Sequence, residues 1–122
     1  MALEHEELTE KIIGAAIKVH KKLGPGFIDS IYENALVIEL RKQGMEVDQQ
    51  LEVAVNYEGV EVGKHRLDLL VEKTIILELK AIKQIEDIHY AIVRSYLNAL
   101  HLRHGLIMNF ARITLEVKRV IS

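Results

Sequence analysis

His65-Arg66-Leu67-Asp68-Leu69-Leu70-Val71, a short polar break, and Ile75-Ile76-Leu77-Glu78-Leu79-Lys80-Ala81 form the stretch that most restricts what this chain can fold into. Aliphatic residues at every second position read as two paired β-strands, with Glu72, Lys73 and Thr74 as the turn between them. Such a turn sets Asp68 opposite Glu78, and Lys80 follows two residues later on the same face. The reverse face carries Leu67, Leu69, Val71, Ile75, Leu77, Leu79 and Ala81, an apolar surface suited to a core. A one-residue slip would bury the charges instead, so the register is well specified.

Opposed carboxylates repel unless a proton or a cation lies between them, and one nearby ammonium compensates only in part. Asp68 and Glu78 are therefore candidate ligands for a hard divalent ion, Mg²⁺ or Mn²⁺, with the Leu79 carbonyl as a further oxygen. Lys80 would then orient a water nucleophile and offset charge on a scissile phosphate. The competing reading is structural: Lys80 pairs with Glu78 or Asp68 across an exposed sheet.

A chain of 122 residues fits one domain, residues 1–122, with its own core. It has no cysteine, which removes disulfide and thiolate metal chemistry. No apolar run approaches the roughly 20 residues that span a bilayer, and the acidic start Glu4, Glu6, Glu7, Glu10 is unlike a signal peptide, so a cytoplasmic protein with no membrane partner is expected. The formal net charge of -2 supplies no long-range pull toward nucleic acid. Contact with DNA or RNA would need a local basic patch drawn from Lys18, Lys21, Lys22, His65, Arg66, Arg94, His101, Arg103, His104, Lys118 and Arg119.

Elsewhere the pattern alternates between helix and strand. Apolar residues from about Leu3 to Lys22 recur at helical spacing until Leu23-Gly24-Pro25-Gly26 ends the run. A second helix spans Ile28 to Gln43, with Ile31, Ala35 and Ile38 inward beside Tyr32 and Leu36. Leu51 to Tyr57 alternates as a strand before a Glu58-Gly59 turn; the aliphatic Ile75 to Ala81 belongs near the centre of the sheet. A helix from Glu86 to Leu100, a strand from Leu106 to Phe110 and an edge strand within Ile113 to Ile121 complete an α/β domain, a mixed sheet flanked by helices.

Helix two adds Asp29 and Glu33, four apart on one face. Glu33 is a candidate third ligand or water-orienting base and Asp29 an outer partner, although acids in a first helical turn are also favoured by the helix dipole. Tyr96 either packs in the core or offers its hydroxyl to the site. His101 and His104 share a helical face without a third zinc ligand in reach of sequence. His20 suits a structural hydrogen bond at the helix-two junction.

Taken in order, Leu23-Gly24-Pro25-Gly26-Phe27-Ile28-Asp29-Ser30-Ile31-Tyr32-Glu33, Asp68, Glu78-Leu79-Lys80, Ile92 to Tyr96, and Gly105-Leu106-Ile107-Met108-Asn109-Phe110 resemble the GxxExxY protein family of the PD-(D/E)XK nuclease superfamily. The similarity runs from about Leu8 to Val120. It implies a restriction-endonuclease-like core and metal-dependent cleavage of nucleic acid, DNA first, with Asp68, Glu78, Lys80 and Glu33 catalytic. Two positions depart from the pattern. Asp29 stands where the motif has Glu, and Ile92 stands where the family carries a glutamine that the resemblance implies positions substrate or ligand near the metal. Ile92 has no hydrogen-bonding group. The alternative function is a catalytically impaired nuclease-fold domain that binds nucleic acid or a protein partner. Self-association through the last strand, as a homodimer, would accompany either.

Overall fold

Gly24 and Gly26, at φ +71° and +115°, turn the chain between two helices where other residues would be strained. In the computed structural model, which describes residues 5–122, these are α1 (Glu6–Leu23) and α2 (Asp29–Lys42). Tyr32 holds the turn: its hydroxyl donates to the Gly24 carbonyl at 2.6 Å, accepts from the Phe27 N–H at 3.2 Å, and its ring stacks on Phe110 at 4.5 Å. The strands follow as β1 (Val47–Tyr57), β2 (Val60–Val71), β3 (Ile75–Lys80), β4 (His104–Asn109) and β5 (Glu116–Ile121), with α3 (Asp87–Leu100) between β3 and β4.

The sheet order is β1-β2-β3-β4-β5, so β3 is central and β5 an edge. Among the described strands only β3 and β4 run parallel, and α3 is the crossover such a pair requires. One face of the sheet packs Leu69, Val71, Ile75, Leu77, Leu79, Leu106, Met108 and Phe110 against α1 and α2. The other packs Leu70, Ile76, Ile107 and Val120 against Val93, Tyr96 and Leu97 of α3. Helices on both sides explain why β3 is aliphatic apart from Glu78 and Lys80 and is buried up to Lys80. Gly105 lets α3 approach: a Cβ there would lie 2.7 Å from Val93 Cγ1. Among the described residues no helix is long and apolar enough to cross a membrane.

Two expectations about faces are corrected. Along α2 the buried stripe is Tyr32, Glu33, Leu36, Val37 and Leu40, while Ile31 and Ile38 are exposed. The sequence offers two overlapping apolar stripes, and the aromatic one wins because Tyr32 stacks on Phe110. Along β2, Leu67 does not share the face of Leu69. Leu67 packs toward α3 with Leu51 and Val53, whereas Leu69, Val71 and Val47 pack toward α1 and α2. Residues of one parity normally keep one face, so both strands turn over between these groups. The turnover falls at Gln50 and Asp68, which lie between the paired rungs Gln49↔Leu69 and Leu51↔Leu67. Gln50 takes φ +54°, a left-handed conformation uncommon for a residue with a Cβ. The hairpin is thereby creased, and its outer half folds over α3.

Candidate nuclease-type site

The crease is where the charged residues meet. Ladder pairing between β2 and β3 runs from Val71↔Ile75 to Leu69↔Leu77. Beyond it, side chains replace the rungs: the Asp68 N–H donates to Glu78 Oε1 at 3.1 Å, and the Leu79 N–H donates to Asp68 Oδ2 at 2.8 Å. Each carboxylate thus has one of its two oxygens on a backbone N–H. In a strand, the N–H and C=O of a residue point to the same side, so the Leu79 carbonyl also opens toward Asp68.

Burial raises the proton affinity of both acids. Glu78 moves from 4.5 to about 8 through burial first and the Asp68 charge second. Asp68 moves from 3.8 to about 6, again through burial first, with Glu33 adding repulsion and the Leu79 N–H and Lys80 opposing it. Lys80 is half-buried at the end of β3, and its charge favours ionisation of both acids. Among the described residues it forms no ion pair within 4.0 Å, so its influence is exerted at longer range.

Glu33 reaches the same place from α2 and is buried. Its carboxylate is gripped at both oxygens: Gln49 Nε2 donates to Oε2 at 2.7 Å and Gln50 Nε2 to Oε1 at 2.8 Å. Gln50 also lies 3.4 Å from Asp68 Oδ1, so one amide spans both acids. These glutamines escaped the sequence reading; the only signal was a pair of amides at the start of an alternating strand. Asp29 is exposed in the first turn of α2, and among the described residues no hydrogen bond joins it to this group. Tyr96 takes the packing role. Its ring is buried against α3's neighbours and its hydroxyl donates to the Arg66 carbonyl at 3.0 Å, with burial and then the Glu78 and Asp68 charges raising it to about 12.

Asn109 secures the far side. Opposite Lys80 in the parallel ladder, it accepts from the Ile82 N–H at 3.1 Å and donates to the Ile82 carbonyl at 2.8 Å, pinning the chain as it leaves β3. The His20 ring bonds to the Arg112 carbonyl at 2.8 Å, a structural contact with the β4–β5 loop, while the His20 backbone carbonyl accepts from the Gly24 N–H at 2.7 Å in the turn toward α2.

The donor set can be tested against a divalent cation. Among the described residues no three His, Cys, Asp or Glu side chains are grouped to hold a metal. What exists is a pair of carboxylates whose mutual repulsion a cation would relieve, beside a backbone carbonyl. That suits Mg²⁺, which keeps several waters and takes one or two carboxylates, better than a closed protein cage.

The sequence profile of the PD-(D/E)XK nuclease superfamily matches residues 6–120. The chain belongs to this superfamily. Its fold is restriction-endonuclease-like. No curated protein matches the chain. It is similar to the crystal structure of SSO0001, at a TM-score of 0.61 and 17% identity, over 97% of this chain and 59% of that one. The chain therefore spans 59% of the length of that protein, and the likeness is one of fold.

Proposed function

We propose that this domain is a metal-dependent phosphodiesterase of the GxxExxY type acting on nucleic acid, DNA first. The observation that carries the reading is the Asp68–Glu78 pair, each acid fixed by a backbone N–H through one of its two oxygens, which leaves the second oxygen of each as a ligand. Those oxygens, with the Leu79 carbonyl, would hold Mg²⁺ or Mn²⁺. Such an ion supplies Lewis acidity toward phosphate and makes a water nucleophile available at neutral pH. Lys80 stabilises the negative charge that grows on the phosphate oxygens. Glu33, held by Gln49 and Gln50, orients the attacking water and takes its proton; Asp29 contributes charge one turn earlier.

Incubation with single-stranded, duplex and branched DNA, and with RNA, in Mg²⁺ or Mn²⁺ tests this. Cleavage that disappears in Asp68→Asn and Lys80→Ala supports it; no cleavage of any substrate, or cleavage indifferent to both changes, defeats it. Ile92 favours a second reading, a domain that binds nucleic acid or a protein partner without cutting. Under that reading binding falls steeply with salt while Mg²⁺ yields no product, and Ile92→Gln brings cleavage back. In either case a homodimer paired through the edge strand β5 would enlarge the surface that grips a substrate, and sedimentation showing only monomer at high concentration rejects it.

A further inference from the structure

The crease at Gln50 and Asp68 has a second product. Folding the outer hairpin over α3 buries Val53, but past it the strand parts from the helix and a cavity of about 400 Å³ opens. Val53, Asn56 and His65 of the hairpin face Ser95, Tyr96 and Asn98 of α3 across it. The cavity adjoins the carboxylates through Tyr96, whose ring forms a wall and whose hydroxyl bonds to Arg66, two residues before Asp68.

We propose that this cavity binds a nucleobase of single-stranded nucleic acid, next to the phosphate engaged by Asp68 and Glu78; the proposal rests on the nuclease reading above. Four observations support it. The volume lies at the small end of ligand pockets, enough for a base with part of its sugar and too little for a duplex. The lining holds no Asp, Glu, Lys or Arg among the described residues, so it suits the neutral part of a nucleotide while the charged part stays at the site.

The walls also offer what a base needs. His65 and Tyr96 meet edge to face at 5.7 Å beside Val53, presenting apolar and aromatic surface for stacking. Polar groups of both kinds line the rim. Ser95 donates to the Ile92 carbonyl at 2.6 Å and keeps oxygen lone pairs to accept, while Asn98 accepts from Ser122 at 2.7 Å and keeps its amide N–H to donate. Asn56 can do either. Finally, Arg94 stands one helical turn before Asn98, its guanidinium 5.9 Å from the Tyr90 ring, where it can meet a neighbouring phosphate. A base paired within a duplex is stacked and cannot enter. The substrate class implied is a single strand, or a frayed or branched end.

The test uses the full chain carrying Asp68→Asn to prevent cleavage, and short oligonucleotides with a fluorescent adenine analogue. Single strands should bind with quenched fluorescence and duplex at least about tenfold more weakly; the DNA and RNA arms show which sugar is accepted. Adding Ala99→Trp, which fills the cavity from α3, should abolish the quench and weaken binding by about tenfold or more. In the otherwise unaltered chain Ala99→Trp should leave Mn²⁺ affinity unchanged. Asn56→Ala, a truncation on the hairpin, is the second variant should circular dichroism show Ala99→Trp unfolded, and it should weaken single-strand binding severalfold. Equal binding by all variants, or preference for duplex, overturns the proposal. If the unaltered chain cuts nucleic acid while both variants cut and bind as well, the cavity assignment fails and the nuclease reading stands. If no nucleic acid binds or is cut, both fail.

Discussion

Replacing Glu78 with glutamine should stabilise the metal-free protein, increasingly so as pH rises from about 5 to about 8. Glu78 is 5% exposed, so solvent screens its charge weakly. Its proton affinity rises from 4.5 to about 8 on folding, through burial and then the Asp68 charge. Between those values the folded chain keeps a proton that the unfolded chain has released. Stability therefore falls as pH rises through that window and levels off above it. At roughly 1.4 kcal/mol per tenfold change in proton affinity, ionising Glu78 costs several kcal/mol, part of it shared with Asp68. Glutamine keeps an oxygen to accept the Asp68 N–H and carries no charge, so it should gain about 2–4 kcal/mol above pH 8 and little below about pH 5. Urea unfolding followed by circular dichroism in chelator, across that range, measures the difference. Adding Mg²⁺ should narrow it by stabilising the natural chain alone. Parallel pH profiles for the two proteins would refute the reasoning, because Glu78 would then ionise as easily folded as unfolded.

Gln50→Ala removes the amide that joins Glu33 to Asp68 and should cost about 1–2 kcal/mol, with weaker Mn²⁺ binding by calorimetry; Gln50→Gly should be milder in stability because it relaxes the left-handed backbone. Gly105→Ala places a methyl 2.7 Å from Val93 Cγ1 and should destabilise by about 1–3 kcal/mol, a loss that Val93→Ala partly reverses in a double-mutant cycle of urea midpoints. Asn109→Ala strips both hydrogen bonds from Ile82 at a fully buried position and should cost about 2–4 kcal/mol by the same measurement. Tyr32→Phe keeps the stack on Phe110 but loses the bond to Gly24, and should cost about 1 kcal/mol in thermal unfolding.

The strands and the β2–β3 hairpin were legible because period-two alternation is a local signal and the 72–74 turn leaves one sensible register. That register, extended from Leu69↔Leu77, brings Asp68 to Glu78 as the spacing predicts. The central place of β3 followed from how many of its residues are aliphatic. Two features resisted. Which stripe of α2 turns inward depended on Phe110, some eighty positions later, on which Tyr32 stacks. The face change at Gln50 and Asp68 depended on a left-handed glutamine that no propensity favours, so alternation carried Leu67 to the wrong side. The glutamine grip on Glu33 is a consequence of that same crease, and was invisible for the same reason.

Asp68 and Glu78 also join β2 to β3, since their oxygens take the backbone N–H groups of Leu79 and Asp68 where the ladder stops. An alanine at either position would therefore loosen two strands as well as remove a charge, and lost activity in it would not isolate the chemistry. Asparagine and glutamine keep the joint and remove only the charge. A chain of this fold that cut no nucleic acid would still need these two side chains to close its sheet. Their persistence along a lineage is thus a record of architecture first, and evidence of catalysis only when something else in the site agrees.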